Sequence, residues 1–242
     1  MNESVGHEVF PKDKFMSLVI ISVFTTILAV PVNILVLFGY ITSRSSRARP
    51  SSILLISLIF DQLLISIVVI PSQLLEVIRP DLVANGGVFC VFVGTAFYSL
   101  YITMTETLAC ISVDRFLAVK SMLRYSTIIT RKRVVVVVVF IWIHAVLFLT
   151  VIGPFVIQIE HNDRLGACGV VYDGRIVLLT LMVFFYAGVP FVIIIVSNCK
   201  MAKHLWRHNR RVVQRAEGES IDRKQNRGRQ GNVDNLYIIQ QE

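Results

Sequence analysis

The sequence predicts an all-α membrane protein, and three observations carry that prediction. The chain of 242 residues is 55% hydrophobic and 17% charged, with a mean hydropathy of +0.68. A soluble domain of this size carries more charge and less apolar material. The chain also holds five mostly apolar runs, each about 20 residues or longer, the length a helix needs to cross a bilayer. Finally, its basic residues cluster in alternate connecting segments, which orients the spans.

Residues 1–14 form a short polar N-terminal segment. It contains Asn2-Glu3-Ser4, a glycosylation sequon that makes Asn2 a candidate acceptor if this end lies outside. The first apolar run, Phe15–Ile41, is longer than a signal peptide core, and no small-residue cleavage site follows it. The next runs are Ser52–Val77, Val88–Val119, Val134–Ile157 and Ile176–Met201. Residues 15–201 thus form a five-helix transmembrane region.

Arg44, Arg47 and Arg49 follow the first run. Lys120, Arg124, Arg131, Lys132 and Arg133 follow the third, and Lys200, Lys203, Arg207, Arg210, Arg211 and Arg215 mark the end of the fifth. Short basic loops stay cytosolic. The N-terminus is therefore expected outside, on a multi-pass protein of the plasma membrane. Residues 202–242 are expected inside as a basic, disordered tail, rich in Arg, Gln, Asn and Gly. The net charge of +8 is mostly this asymmetry, so it calls for no nucleic-acid partner.

Cys90 opens the third run on the outer side, and Cys168 lies in the outer loop between the fourth and fifth. An oxidising compartment lets such a pair form a disulfide, which would pin the loop over the third helix; two free loop thiols are the alternative. Cys110, in mid-membrane, reads as a small packing residue. No metal-ligand spacing appears, no cofactor is implied, and no nucleophile–base pair suggests an enzyme.

Polar residues inside the runs carry more information. Asp61 lies in the second run, and an intramembrane carboxylate is a functional candidate by default. Asn33 in the first run is its expected hydrogen-bond partner if the two helices pack side by side. Glu106, deep in the third run, reads as a hydrogen-bonded packing residue. At the inner end of that run Asp114 and Arg115 stand together, so that each charge has an opposite one nearby.

These residues together resemble the rhodopsin-like (class A) G-protein-coupled receptors. "NILVL" resembles the family's first-helix asparagine motif at Asn33, and "SLIFDQLL" its second-helix motif at Asp61, with Pro71 at the position of the kink. Cys90 precedes Arg115 at the family's spacing. "DRF", Asp114 to Phe116, resembles Asp-Arg-Tyr, while Trp142 and Pro190 match the fourth-helix tryptophan and fifth-helix proline. The resemblance implies a seven-transmembrane receptor-type helix bundle of which helices one to five are present. It also implies a switch role for Asp114, Arg115 and Phe116, a heterotrimeric G protein as partner, and an extracellular ligand.

Departures from the family narrow the ligand. Phe97 stands where amine receptors carry an aspartate, and with Tyr98 and Tyr101 it forms an aromatic candidate pocket wall without an ammonium partner. A biogenic amine is therefore disfavoured. Met104 stands where a serine commonly neighbours the second-helix aspartate, which puts the family's sodium pocket in doubt. Met122 and Asn198 replace a second-loop proline and a fifth-helix tyrosine.

The family's Cys-Trp-x-Pro sixth helix and Asn-Pro-x-x-Tyr seventh are not among the 242 residues. Truncation after the fifth helix is the expectation, whether from an incomplete gene, splicing or decay. Two functional readings follow. One is a G-protein-coupled receptor, or a fragment of one. The other is a non-signalling truncated receptor that associates with full-length receptor chains and alters their trafficking.

Overall fold

A computed structural model describes residues 12–44, 49–79, 88–147, 150–151, 158–162, 167–171 and 176–239. Asn2 and the end of the fourth apolar run, residues 152–157, lie outside the described residues.

Helix α1 covers Lys12–Thr42. The second span is built in three parts: α2 (Ser52–Leu64), a π-helical turn (Ile65–Val69) and α3 (Ile70–Ile78). Helix α4 (Val88–Lys120) is the third span, and a short α5 (Tyr125–Ile128) follows in the next loop. Helix α6 (Arg131–Leu147) forms the described part of the fourth span. Strands β1 (Gln158–Asn162) and β2 (Ala167–Val171) make an antiparallel hairpin between the fourth and fifth spans, with His161 opposite Cys168. The fifth span starts with α7 (Ile176–Val183), passes through a π turn (Phe184–Gly188) and continues as α8 (Val189–Ile239).

Among the described residues, four helices are long and apolar enough to cross a membrane: Val19–Thr42, Ser52–Leu75, Val88–Lys120 and Thr180–Arg215. The expected span Val134–Ile157 is described as helix up to Leu147, at 17 residues. The expected disordered tail is instead the continuation of α8 to Ile239. The physical reason is propagation. The fifth span has already nucleated the helix, and Arg, Gln, Glu, Lys and Ala among the residues that follow favour its extension against the Gly and Asn between them.

Helix α4 is the hub. It touches α2, α6 and α8, while α1 packs on the second span and the outer hairpin rests against α4. Its buried residues include Cys90, Val93, Leu100, Ile102 and Ala109, and Leu54 and Ile59 of α2 and Val134, Ile141 and Ala145 of α6 are buried with them. Much of the other buried material is small and polar: Ser52, Ser57, Ser66, Ser99, Thr103, Thr107 and Ser197. Small residues let helices approach closely where lipid offers no hydrophobic driving force between them. Large apolar side chains such as Ile20, Phe24, Phe60, Phe140 and Phe191 point outward, as suits helices solvated by acyl chains.

Both sequence-identified prolines sit just past a π turn. Pro71 and Pro190 each fall at the second residue of the helix that resumes after it. Proline has no N–H and its ring collides with the carbonyl four residues back. A wider turn absorbs that collision and redirects the helix. For Pro190 the orphaned carbonyl belongs to Tyr186, and Thr105 Oγ1 of the third span donates to it at 3.3 Å. Thus the π turn in the fifth span is fastened to the hub helix.

Candidate functional site: the polar groups along the third helix

At the inner end of α4, Asp114 is 3% exposed and Arg115 is exposed. The expected pairing of the two does not occur: among the described residues no ion pair joins them. The reason is helical geometry. Adjacent residues point about 100° apart, so i and i+1 do not face each other. Asp114 instead accepts a hydrogen bond at Oδ1 from the Tyr125 hydroxyl at 2.7 Å. Tyr125 opens α5, and Ser51 at the start of the second span lies close enough to act on its phenol. Burial first, and then the Asp114 carboxylate beside it, hold the Tyr125 phenol above its ordinary value of 10.0. Arg133 Nη1 closes the loop by donating to the carbonyls of Thr127 and Ile128 at 3.1 and 2.9 Å. Phe116 lies beneath the Lys120 ammonium, 5.6 Å from the ring centroid.

Half-way along the bundle Asp61 is fully buried. Asn33 is not its partner, as the sequence had suggested. Asn33 Nδ2 donates to the Ala29 carbonyl on its own helix at 2.8 Å, a local alternative that an amide one turn away always offers. Asp61 Oδ1 accepts from Thr103 Oγ1 of the third span at 2.7 Å. Asp61 Oδ2 and Thr107 Oγ1 are buried without a protein hydrogen-bond partner among the described residues, so the carboxylate stays open to a further donor. Met104, beside Thr103, accepts at sulfur from Gln62 Nε2 at 2.9 Å.

Trp142 secures the fourth span to the second. Its indole N–H donates to Ser57 Oγ at 3.0 Å, and its ring lies 5.6 Å from that of Phe60. At the outer end, Cys90 is fully buried and disulfide-bonded, whereas Cys110 and Cys199 are free thiols. The strand that carries Cys168 rests against α4 and against α3.

Phe97 and Tyr101 are exposed one turn apart on α4, and Phe97 packs edge-on against Tyr98 with centroids 5.3 Å apart. Phe97 and Tyr101, four residues apart, lie on one face of the helix. A cavity of about 570 Å³ lies elsewhere, between the second, third and fourth spans, lined by Leu64, Val68, Phe92, Trp142 and Val146 among others. No cluster of three or more His, Cys, Asp or Glu able to hold a metal occurs among the described residues.

Sequence reasoning missed Thr103, Tyr125, His144 and Tyr186. An ionisable residue inside an apolar run is a signal in itself, and His144 in "FIWIHAVL" carried it. Thr103 and Tyr125 carry no such mark, because their roles depend on which helices meet.

A membrane helix bundle organised around a third helix, with a buried aspartate at mid-depth and, at the helix's end, a buried Asp114 held by Tyr125 beside an exposed Arg115, has the form of a receptor core. The model of the 7 transmembrane receptor (rhodopsin family) matches residues 32–230, and the chain belongs to that family of G-protein-coupled receptors. Among similar curated proteins, the Alpha-2Da adrenergic receptor of Danio rerio is 27% identical over 203 residues, covering 83% of this chain and 47% of that protein. The Alpha-2 adrenergic receptor of Carassius auratus is 29% identical over 170 residues, 70% of this chain and 37% of that protein. The Probable G-protein coupled receptor 21 of Homo sapiens is 28% identical over 130 residues, 53% of this chain and 37% of that protein. The chain therefore spans about half the length, or less, of these relatives.

Proposed function

We propose that the chain is the receptor core of a plasma-membrane protein, with its N-terminus outside, that passes an extracellular signal to a heterotrimeric G protein. The observation that carries this reading is the inner end of α4. Tyr125 occupies the buried Asp114 carboxylate, while the neighbouring Arg115 is exposed and free of any ion pair among the described residues. A cytosolic partner can reach that guanidinium, and a change at the Asp114–Tyr125 contact would alter how it is presented. Phe116 completes this switch segment. In this reading Asp61, with Thr103 of the third span, forms the intramembrane polar contact, and Pro71, Trp142 and Pro190 set the shape around it. A Cys90–Cys168 disulfide ties down the outer loop.

The ligand falls outside the biogenic amines in this proposal, although two of the relatives are named adrenergic receptors. Phe97, Tyr98 and Tyr101 offer an aromatic wall, and no carboxylate stands among them to pair with an ammonium group.

The test uses ligand-independent nucleotide exchange, so the ligand need not be known. Membranes carrying the protein should accelerate GTP-analogue loading of purified G proteins, and Arg115→Ala should remove that acceleration while surface expression is retained. Exchange no faster than in control membranes, or unaffected by Arg115→Ala, overturns the reading.

A further inference from the structure

The cavity of about 570 Å³ between the second, third and fourth spans takes no part in the switch. Helix α4 lines it with Val88, Phe92, Thr95, Ser99 and Thr103. These residues recur every three or four positions and so share one face. Phe97 and Tyr101 lie on the opposite face, about 160° around the helix. The cavity is therefore a different place from the aromatic wall. Its rim residues Val88, Phe92 and Val146 are exposed, and its floor residues Ser99 and Thr103 are buried. No charged side chain lines it among the described residues. In a bilayer its mouth meets acyl chains rather than water.

Two hydroxyls in this lining depart from the habit of the bundle. Ser66, Thr105, Ser112 and Thr150 each donate to the carbonyl four residues back, at 2.7, 3.0, 2.9 and 2.7 Å. That local bond is the usual resort of a hydroxyl on an apolar helix. Thr95 and Ser99, one turn apart, make no hydrogen bond to any described residue. Ser99 is nevertheless only 8% exposed. A hydroxyl left unpaired in apolar surroundings is costly, and both of these border the empty volume.

We propose that the cavity is a binding site for a neutral single-chain lipid, entered sideways from the bilayer, whose head both donates and accepts hydrogen bonds, as a primary amide does, and is held by Thr95 and Ser99. Shape favours a single chain. Between Val88 and Ser99 the helix rises about 16 Å, so the cavity is long for its volume and suits an extended alkyl chain better than a fused ring system. Charge favours a neutral head, since an ammonium or carboxylate would find no counter-charge in the lining. A bulk acyl chain would fill the space yet leave both hydroxyls unpaired. Two lining residues also join the spans: Thr103 donates to Asp61 and Trp142 to Ser57. A bound lipid packs against both contacts and stabilises the bundle by mass action.

The test is made on the 242-residue chain in lipid nanodiscs. The probe is an oleamide carrying a photoreactive diazirine in its chain, and the competitors are unlabelled oleamide, 1-octadecene and cholesterol. Adducts should saturate, map to residues 88–103 and to α6, and be displaced by oleamide but not by the hydrocarbon or the sterol. Ser99→Ala and Thr95→Val should each raise the half-saturating concentration about tenfold, as for one lost hydrogen bond. Ala96→Phe, which fills the cavity, should abolish the labelling; if that variant does not fold, the two hydroxyl variants still decide the matter. Displacement by 1-octadecene as well as by oleamide would make the cavity a groove for bulk acyl chains. Displacement by cholesterol alone would make it a sterol site. Labelling that does not saturate, or that is indifferent to Ser99→Ala and Thr95→Val, would remove the role assigned to the hydroxyls. Each of these results overturns the proposal. The readout is independent of nucleotide exchange, so it stands apart from the test of G-protein coupling.

Discussion

The Tyr125 hydroxyl donates to Asp114 Oδ1 across 2.7 Å, and this contact ties the loop after the third helix to the buried carboxylate at the helix's inner end. It turns two neighbouring charges into unequal ones, with Asp114 held and Arg115 exposed.

Tyr125→Phe removes the donor and leaves a buried carboxylate without it. The expected cost is about 1–3 kcal/mol, the range for a hydrogen bond to a charged group, read as a lower thermal midpoint in nanodiscs. The pH dependence has a definite sign. The native phenol holds its proton more tightly than the free value of 10.0. Its contribution is therefore complete below about pH 10 and declines as pH rises through the native value. A difference between native and Tyr125→Phe stability that grows with alkaline pH contradicts this account.

Thr103→Val removes the hydroxyl that serves Asp61 while preserving side-chain shape. Asp61 Oδ2 already lacks a protein partner among the described residues, so the carboxylate would lose its strongest contact. Destabilisation of about 1–3 kcal/mol is expected. The same substitution beside Asp61→Asn should cost less, because no charge is left stranded; equal costs in the two backgrounds would show that the pair is not coupled.

Peptide mapping without reductant should recover Cys90 linked to Cys168, with Cys110 and Cys199 alkylated. Reduction should lower stability by about 2–4 kcal/mol, as for a disulfide that closes a long loop. Recovery of Cys168 as a freely alkylated thiol excludes the pairing.

An epitope at Met1 should bind antibody on intact cells, whereas one after Glu242 should require permeabilisation. Accessibility of both ends on the same face is incompatible with the orientation read from the basic segments.

How much of this was legible from sequence depends on whether a property is local or shared between helices. The apolar runs, their basic flanks and the positions of Asp61, Pro71, Asp114, Trp142 and Pro190 could be read directly, because length, charge and the missing N–H of proline act through the chain itself. Partner choice could not. Asn33 looked like the natural companion of Asp61, yet an amide one turn from a free carbonyl satisfies itself, and the hydroxyl of Thr103 reached the acid from another helix. Asp114 and Arg115 looked paired because they are adjacent in sequence, but a helix turns adjacent side chains away from each other. The polar tail looked disordered by composition, and the fifth span carried its helix onward.

The sequence by itself determined the long apolar helices and the family to which they belong, since each follows from composition, length or motif. Tertiary structure alone decided that Tyr125 guards Asp114, that Thr103 serves Asp61 and that Glu106 and Tyr186 each meet His144. Those contacts join residues from different helices, and whether two side chains meet is set by the packing and rotation of the helices, which no local pattern encodes.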